Sequence, residues 1–302
     1  MYKQVGGPVL RKGFAMLRLR KDIPLFPEGR KKAFTMSFDD GVTQDEKLIV
    51  FMKNCGLKGT FNINAGLMGE KDWLVQPGID VSHYKFSAEK VRDVYRDCEI
   101  AVHTMSHADL TAVPSSMAVY EITECKKELE DIVNRPVRGM AYPFGTWNEG
   151  VTDILKFCGI DYARTVKSSG SFHLPDDFLV WNPTCHHTDE KINAYADLFL
   201  NEETQNDYKE PLLFYIWGHS YELDAFEQWD LLEAFMKKIG FHHEIWYATN
   251  IEICDYMKAV KSLLYSASGE YITNPSAQTV WLLIDQKEYC IPGGSTVTVE
   301  VP

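Results

Sequence analysis

The sequence predicts an α/β fold, a distorted (β/α) barrel of seven or eight parallel strands with a small C-terminal β addition. Short apolar runs alternate seven or eight times with segments of helical spacing, which is the pattern of βα units around a parallel sheet. Polar clusters follow several of these runs directly, as expected in a barrel whose strands end at one functional face. The chain has 302 residues, which suffices for one such barrel.

Eight apolar runs are short enough for strands and are bounded by turn residues, so we predict each of them as a strand. Closing these strands into a barrel leaves no exposed sheet edge. The runs cover residues 33–38, 59–63, 99–102, 138–142, 161–166, 178–181, 212–217 and 244–248.

Between the runs lie segments in which apolar residues recur with the period of a helix. In the longest of them, one apolar face can be lined by Tyr120, Ile122, Leu129, Ile132 and Val133, and Pro114 stands near the start. The predicted helices cover residues 44–54, 88–97, 116–133, 151–157, 191–200, 226–239 and 251–265.

The two ends of the chain depart from this alternation. Residues 1–32 are basic and contain three prolines, so we expect them to cap one end of the barrel. Residues 266–302 include two runs rich in Val and Thr on either side of Pro292, which predicts a β extension too small to be an independent domain. The expected organisation is a cap segment 1–32, a barrel 33–265 and a C-terminal β extension 266–302.

The composition excludes several classes of partner. The net charge of −12 argues against nucleic acid and against an anionic membrane, because their phosphates would repel the chain. Seven cysteines without a CxxC pair argue against a disulfide framework and against a cysteine-based zinc site. No apolar run reaches the length of about 18 residues that a membrane span needs. The first twenty residues contain no apolar signal segment, so we expect a cytoplasmic protein.

The adjacent acids Asp39 and Asp40, at the end of the first apolar run, are the most informative feature. His103 and His107 follow about sixty residues later, four positions apart. One carboxylate beside two imidazoles can bind a metal, while the other carboxylate stays free to take a proton. Metal-assisted hydrolysis needs this division of roles. Taken singly, the acids could form a solvated turn and the histidines could lie on the surface.

Four short segments that contain candidate site residues occupy equivalent positions, each after one of the predicted strands. Asp39 and Asp40 follow the first run, His103 follows residues 99–102, and Phe144 and His219 follow two later runs. Because the C-terminal ends of parallel barrel strands meet on one face, we expect these clusters to converge. Their shared placement favours one active site over four unrelated structural roles.

Four segments carry a resemblance to a known family. They read SFDDG at 37–41, HTMSH at 103–107, AYPFG at 141–145 and YIWGH at 215–219. The first two match the motifs (T/S)FDDG and H(S/T)xxH, and the other two resemble the third and last motifs of the same family. Over residues 33–260 the chain resembles the polysaccharide deacetylases of carbohydrate esterase family 4, the NodB-homology type.

The resemblance implies a metal centre and a substrate. A divalent metal, commonly zinc with cobalt, nickel or manganese as substitutes, would be held by Asp40, His103 and His107. The substrate would be an N-acetylated carbohydrate, an oligo- or polysaccharide of the N-acetylglucosamine type. Hydrolysis would release acetate and leave a free amino sugar.

The resemblance also implies three catalytic roles. Asp39 would be the base that takes a proton from the attacking water. The backbone N–H of Phe144 would stabilise the oxyanion together with the metal. His219 would be the acid that protonates the departing amine, since an unprotonated amide nitrogen leaves very poorly.

The family pattern is incomplete at two positions. The third motif usually carries an arginine that holds the base, and Ala141 stands there. Arg138 and Arg164 are the candidates to replace it, and we favour Arg164 because it lies near the end of a predicted strand. The family's acid that tunes the catalytic histidine also has no clear match. Candidates for that acid are Asp176, Asp177, Glu222 and Asp224.

Aromatic residues near the motifs are candidates for contact with a sugar. Aromatic faces pack well against the apolar faces of sugar rings. Tyr142, Trp147 and Trp181 are the substrate-binding candidates, with core packing as the competing interpretation of each. For Trp217, inside an apolar strand, we prefer core packing.

The run Cys185-His186-His187 has the residue types of a metal site. The acids and histidines of the four motifs already supply enough ligands for one metal. We therefore favour a structural or substrate-contact role for this run.

Two other functions remain open at this point. The same barrel and metal could act on another amide, as a deformylase or as a hydrolase of cyclic amides. Alternatively, the chain could be a catalytically silent carbohydrate-binding protein. The presence of both Asp39 and His219 argues against a silent protein, because binding alone needs neither a base nor an acid.

Overall fold

The computed structural model describes residues 22–201 and 210–300. Residues 1–21 of the predicted cap and the last two residues of the predicted extension lie outside these ranges. The described residues form sixteen strands and eight α-helices. The strands are β1 Asp22–Leu25, β2 Lys32–Asp39, β3 Gly59–Ile63, β4 Lys71–Gln76, β5 Ile79–Tyr84, β6 Glu99–Val102, β7 Gly139–Ala141, β8 Tyr162–Arg164, β9 Cys185–His186, β10 Leu212–Gly218, β11 Ile245–Tyr247, β12 Leu264–Tyr265, β13 Tyr271–Thr273, β14 Val280–Ile284, β15 Lys287–Ile291 and β16 Thr296–Thr298. The helices are α1 Asp45–Asn54, α2 Ala88–Val94, α3 Ser115–Val133, α4 Glu149–Phe157, α5 Ile192–Asn201, α6 Tyr221–Ala225, α7 Trp229–Ile239 and α8 Asn250–Lys261.

A curled parallel sheet lies at the centre of the fold. Seven strands lie side by side in the order β8-β7-β6-β3-β2-β10-β9, and β11 pairs with β2. Helices lie between successive strands of the chain, as α1 does between β2 and β3 and α3 does between β6 and β7. Such crossover helices are what parallel strands need. The predicted distorted (β/α) barrel is confirmed by this curled parallel sheet and its helices.

The segment around Trp181 brings the two edges of this sheet together. Trp181 N–H donates to the Ala163 carbonyl at 3.0 Å, and Thr165 N–H donates to the Trp181 carbonyl at 2.9 Å. Three residues further on, Thr184 N–H donates to the carbonyl of Tyr215 in β10 at 2.8 Å. Residues 181–186 therefore run between β8 and β10 and close the barrel.

Residues 178–181 do not form the strand that their apolar character predicted. Phe178–Val180 is a 3₁₀ turn instead. Asp177 caps this turn by accepting a hydrogen bond from the N–H of Leu179 at 2.8 Å. The prediction was wrong because so short an apolar run has no period that separates a strand from a turn.

Strand β2 is the best-paired strand of the barrel. It pairs with β10 from Lys32 to Phe38, with β11 at its start and with β3 at its end. All eight of its residues are buried. Asp39 is its last residue, and Asp40 has a φ of 79°, so the chain turns sharply out of the sheet there.

The outer helices match the predicted ones except in two stretches. The helix predicted for residues 251–265 ends at Lys261, and Leu264–Tyr265 forms strand β12. Ile122, Leu129 and Ile132 of α3 are buried, as their spacing predicted, whereas Tyr120 on the predicted apolar face is exposed and Val133 is half-buried. Residues 226–239, predicted as one helix, include only α7, and the separate short helix α6 precedes them directly after β10. This early helix begins two residues after the strand and so lies beside the strand ends.

Polar side chains fill the interior of the barrel below the strand ends. Tyr215 OH lies 2.8 Å from Ser37 Oγ, and Asn250 Nδ2 donates to the same hydroxyl at 2.6 Å. Thr35 Oγ1 donates to Asn250 Oδ1 at 2.9 Å. Asn250 is the first residue of α8, so the start of this helix closes the end of the barrel opposite the strand ends.

The N-terminal and C-terminal elements share a sheet. Strand β1 pairs antiparallel with β14, which pairs with β15, and β12, β13 and β16 form a second small sheet. Strands β1, β12, β13 and β15 were not predicted from the sequence. The division into a cap 1–32, a barrel 33–265 and an extension 266–302 stays a prediction.

A hairpin of β4 and β5 was also not predicted. It lies between β3 and α2, and Val81 on β5 packs against Val42 and Tyr221. Strand β5 is therefore close to the segment that follows the acid pair. Within the described residues, no helix combines the length and the apolar character needed to cross a bilayer.

Candidate active site

The barrel brings the predicted site residues to one end of the sheet. Asp39 ends β2, Arg164 ends β8, and His103, Phe144 and His219 each follow a strand. Because these strands are parallel and adjacent, their C-terminal ends lie on one face. Their convergence was expected from the sequence.

Asp40, His103 and His107 form a group that fits a divalent cation. Their ligand atoms all lie within 4.8 Å of one another, and His103 Nε2 lies 3.9 Å from Asp40 Oδ1. Positive φ angles at Asp40 (79°) and His107 (58°) turn the backbone at these residues. One carboxylate with two imidazoles is a donor set typical of catalytic zinc.

His103 is oriented to present a lone pair to this group. Its Nδ1 lies 2.9 Å from the carbonyl oxygen of Ala141, to which the Nδ1–H donates. This leaves Nε2 free to bind a cation, as in most metal sites with histidine ligands. Burial lowers the pKa of His103 to about 4, so the ring is neutral at ordinary pH. The residues present therefore fit a divalent metal.

Two basic side chains hold the other side of Asp40. His83 Nε2 lies 3.1 Å from Asp40 Oδ2, and Lys85 Nζ donates to the Asp40 backbone carbonyl at 3.0 Å. Burial alone would raise the pKa of Asp40, but the contact with His83 and the charge of Lys85 hold it well below its usual value. His83 lies on β5 and Lys85 directly follows this strand, in a region where the sequence shows no motif.

Asp39 is buried beside the same group with one oxygen engaged. The guanidinium of Arg164 contacts Oδ1, and Asn62 Nδ2 donates to the same oxygen at 2.8 Å. Oδ2 faces His103 Nε2 at 3.8 Å and His219 Nε2 at 3.9 Å. Burial would raise the pKa of Asp39, but the charge of Arg164 and the nearby histidines lower it. Asp39 is therefore a carboxylate with one oxygen directed to the site.

Only one of the two candidate arginines reaches Asp39. Arg138 pairs with Asp161 at 2.6 Å and with Asp255 at 2.5 Å. Arg164 is fully buried, and its guanidinium carbon lies 4.4 Å from the centre of the Trp217 ring. The favoured candidate from the sequence is the arginine that contacts the acid.

His219 lies between Asp39 and Glu222. Its Nε2 faces Asp39, and its Nδ1 lies 3.4 Å from Glu222 Oε1. Burial opposes the charged ring, but the Glu222 carboxylate and the two aspartates outweigh it and raise the pKa of His219 to about 9. The ring is therefore protonated at neutral pH. Among the four candidate acids, Glu222 is the one that contacts His219.

The first part of the chain matches a known family. Residues 27–163 match the family model described as polysaccharide deacetylase. This segment, which is somewhat less than half of the 302 residues, is similar to the polysaccharide deacetylase family. It includes both acids and both histidines of the first two motifs, so the resemblance inferred from the sequence is confirmed. None of the curated proteins compared with the chain matches it.

Solved structures of deacetylases resemble the chain at low identity. A protein from Mycobacterium smegmatis that is named as a polysaccharide deacetylase is 15% identical, with a TM-score of 0.51 over 79% of this chain and 94% of that one. A family 4 carbohydrate esterase from Streptomyces lividans in complex with acetate is 12% identical, with a TM-score of 0.42 over 70% of this chain and 86% of that one. The Streptococcus pyogenes deacetylase PplD in complex with acetate is 19% identical, with a TM-score of 0.41 over 48% of this chain and 61% of that one. The chain thus spans less than two thirds of PplD, and the likeness to the mycobacterial protein shows the fold.

Two residues of the site lie beyond the matched deacetylase segment. Arg164 follows its last residue directly, and His219 stands on the loop after β10. Ser220, next to His219, donates to Asp45 Oδ1 at 2.5 Å, and Tyr95 OH donates to Asp45 Oδ2 at 2.6 Å. Burial raises the pKa of Asp45 to about 7. The start of α1 thereby fixes the loop that carries the histidine.

Glycine is required before His219 for a steric reason that the sequence did not reveal. A Cβ atom at Gly218 would lie 1.9 Å from Cδ2 of His187, whose ring is buried against the backbone there. His187 Nε2 in turn lies 2.8 Å from Glu222 Oε2. Gly218 therefore lets His187 approach the acid that contacts His219.

Phe144 lies at the edge of the group formed by Asp40, His103 and His107. It has a φ of 59° within the 3₁₀ turn Pro143–Gly145. Its ring centre lies 4.6 Å from that of His107 in an edge-on contact, and the side chain is largely exposed. The residue is placed beside the candidate metal ligands.

The three candidate sugar-contact residues are not placed alike. Tyr142 and Trp181 are each 1% exposed, and Tyr142 OH donates to the Leu179 carbonyl at 2.8 Å. Trp181 packs edge-on against Tyr162 and other core rings. The structure therefore corrects the interpretation of these two residues in favour of core packing. Trp147 is 42% exposed and remains available for contact with a substrate.

Proposed function

We propose that the chain is a metal-dependent N-deacetylase that acts on oligo- or polysaccharides of the N-acetylglucosamine type. The observation that carries this proposal is the position of His219, whose Nε2 lies 3.9 Å from Asp39 Oδ2 beside the metal-binding group. A carboxylate that can accept a proton and a protonated imidazole thus lie next to each other beside the proposed metal ligands. Amide hydrolysis needs both groups.

Asp40, His103 and His107 are proposed to hold the metal. Zinc suits two imidazoles and a carboxylate, and cobalt, nickel or manganese accept the same donors. When bound, such a metal polarises the acetamide carbonyl and lowers the pKa of a water molecule. His83 and Lys85 keep the Asp40 carboxylate ionised and oriented, which supports cation binding.

Asp39 is proposed as the general base. Its Oδ1 is engaged by Arg164 and by Asn62, so Oδ2 is the oxygen left to accept a proton from the attacking water. Arg164 keeps the carboxyl ionised at neutral pH by lowering its pKa against the effect of burial. A fixed carboxylate loses little freedom when it acts, which favours catalysis.

His219 is proposed as the general acid. Nε2–H donates a proton to the departing nitrogen, and the C–N bond then breaks to give acetate and a free amine. The pKa of about 9 keeps this proton on the ring at neutral pH. Glu222 stabilises the charged ring from the Nδ1 side. The backbone N–H of Phe144, a residue whose ring contacts that of His107, is proposed as a donor to the oxyanion.

Acetate release from N-acetylated chito-oligosaccharides tests the proposal. The purified chain loaded with zinc or cobalt should release acetate and produce free amino groups in equal amounts. The Asp39→Asn variant, loaded in the same way, serves as the matched control.

Two other results would each replace the proposal. Hydrolysis of N-formyl or cyclic amides without hydrolysis of acetamido sugars would assign another amide as substrate. Metal binding and carbohydrate binding without hydrolysis of any amide would indicate a silent binding protein.

A further inference from the structure

A second group of metal-binding side chains lies on the opposite side of His219 from Asp39. It consists of His186, His219 and Glu222, whose ligand atoms all lie within 4.8 Å of one another. His186 Nε2 lies 3.2 Å from Glu222 Oε2, and His219 Nδ1 lies 3.4 Å from Glu222 Oε1. Neither the family motifs nor the proposed mechanism uses His186.

The separations of these atoms match those of ligands around one cation. Tetrahedral zinc with bonds of about 2.1 Å places neighbouring ligand atoms about 3.4 Å apart. Two imidazoles and a carboxylate are also the donor set proposed for the first site. His219 Nδ1 is buried and makes no hydrogen bond within the described residues, although it faces Glu222. The nearest acceptor, Glu222 Oε1, is 3.4 Å away, which is a separation that a cation bound to both atoms would bridge.

The surrounding contacts orient the donors toward the same point. His186 Nδ1 accepts a hydrogen bond from the Thr188 N–H at 3.3 Å and lies 2.7 Å from Thr188 Oγ1. Binding of a cation at Nε2 therefore requires the ring proton to leave Nε2, and Thr188 Oγ1 can accept it when it moves to Nδ1. His187 Nε2–H donates to Glu222 Oε2 at 2.8 Å and fixes the carboxylate. The ring of His186 also packs edge-on against Trp217, with 4.7 Å between the ring centres.

We infer that His186, His219 and Glu222 form a second site for a divalent cation of the zinc class, and that its occupation inhibits the enzyme. This differs from the structural or substrate-contact role that the sequence favoured for the run Cys185-His186-His187. The part that concerns inhibition rests on the proposed function of His219. A cation on Nδ1 takes the place of the contact with Glu222, so His219 is no longer held as a charged ring that can give up its Nε2 proton. The second site is the weaker one, because the cation must displace contacts that its ligands already make with one another.

Zinc binding to the whole chain tests the site without reference to turnover. Equilibrium dialysis followed by metal analysis should give two equivalents for the wild type and one for His186→Gln. His243→Gln is the matched control because the His243 side chain is 99% exposed, and it should keep two equivalents. His107→Ala should lose the tighter equivalent and keep the weaker one. A single equivalent in the wild type, or two in His186→Gln, would overturn the second site.

Activity at increasing zinc concentration tests the inhibition. Wild-type acetate release should rise with the first equivalent and fall at least tenfold as the second site fills, whereas His186→Gln should show no falling phase. Equal falling phases in both proteins would overturn the inhibitory role. Because His186→Gln could lose structure, His186→Asn with a thermal unfolding curve provides a second variant. A chain that binds two equivalents but hydrolyses no amide would retain the second site and refute only the deacetylase proposal.

Discussion

Arg164 lies directly opposite Ala141 in the parallel pairing of strands β7 and β8. Ala141 stands where the family's third motif usually has its arginine. The neighbouring strand thus supplies the guanidinium at the same level of the barrel, and it contacts Asp39 from there. The charge next to the base is retained although its place in the chain has changed.

Arg164→Gln is expected to raise the pKa of Asp39, because a neighbouring positive charge lowers a carboxyl pKa by about 1 to 3 units. Asp39 must be ionised to accept a proton, so the acid limb of the pH–activity profile should move to higher pH by at least one unit. Arg138→Gln, whose arginine pairs with Asp161 and Asp255 instead, is the matched control and should leave the limb in place. If Arg164→Gln and the wild type had the same pH–activity profile, Arg164 would not lower the pKa of Asp39.

Asp39→Asn is expected to keep the metal and to lose turnover by roughly 10² to 10⁴-fold, the usual contribution of a general base. The amide can still accept a hydrogen bond from Arg164, but it cannot take a proton. Metal analysis and initial rates of acetate release measure the two effects separately. Loss of metal from this variant, with metal retained in Asp40→Asn, would exchange the roles of the two acids.

His107→Ala is expected to weaken metal binding by at least tenfold, because one of three protein ligands is removed. Competition with a chromophoric chelator measures the affinity of the tighter site. His243→Ala, at a side chain that is 99% exposed, should bind as the wild type does. An unchanged affinity in His107→Ala would remove this histidine from the ligand set.

His219→Ala is expected to slow amide cleavage far more than cleavage of an activated aryl acetate. The amine must be protonated to leave, whereas a phenolate of low pKa leaves without help, so only the amide reaction needs the acid. We expect a loss of 10² to 10⁴-fold for the amide and less than tenfold for the ester, with the metal retained. Similar losses on both substrates would show that His219 acts in a step other than proton donation.

The wild type is expected to lose folding stability as the pH rises from 5 to 7, and Asp45→Asn is expected to remove this loss. Burial raises the pKa of Asp45 to about 7, against 3.8 for an ordinary aspartate. Between these values the unfolded chain is ionised while the folded chain stays protonated, so the stability falls as the pH rises toward 7 and is constant above it. Relative to the variant, the wild type should lose on the order of 2 kcal/mol between pH 5 and pH 7, at about 1.4 kcal/mol per pKa unit. Urea denaturation at both pH values measures this, and parallel curves would contradict a raised pKa.

The barrel strands could be predicted where apolar runs are long enough to be buried on both faces. β3 and β6 have the predicted bounds, and β2 differs by one residue at each end. The two-residue strand β9 was missed because it exists only through its pairing with β10. The β4–β5 hairpin was missed because most of β4 is exposed, so no alternation of apolar and polar residues marks it.

The site was predicted where the chemistry depends on short motifs, and not where it depends on contacts between distant segments. Asp39 and His103 could be recognised at strand ends. His83 could not, since its contact with Asp40 requires the hairpin to fold back over the motif. Glu222 was one of four candidates, because only the path of α6 after β10 decides which acid meets His219.

The pairing of β1 with β14 has a consequence for the order of folding. Asp22 pairs with Ile284, so almost the whole described chain must be arranged before these residues can meet. Contacts so distant in sequence have a high closure entropy and form late. The barrel and its polar interior should therefore assemble first, and the β1–β14 pair then joins the two ends of the described chain.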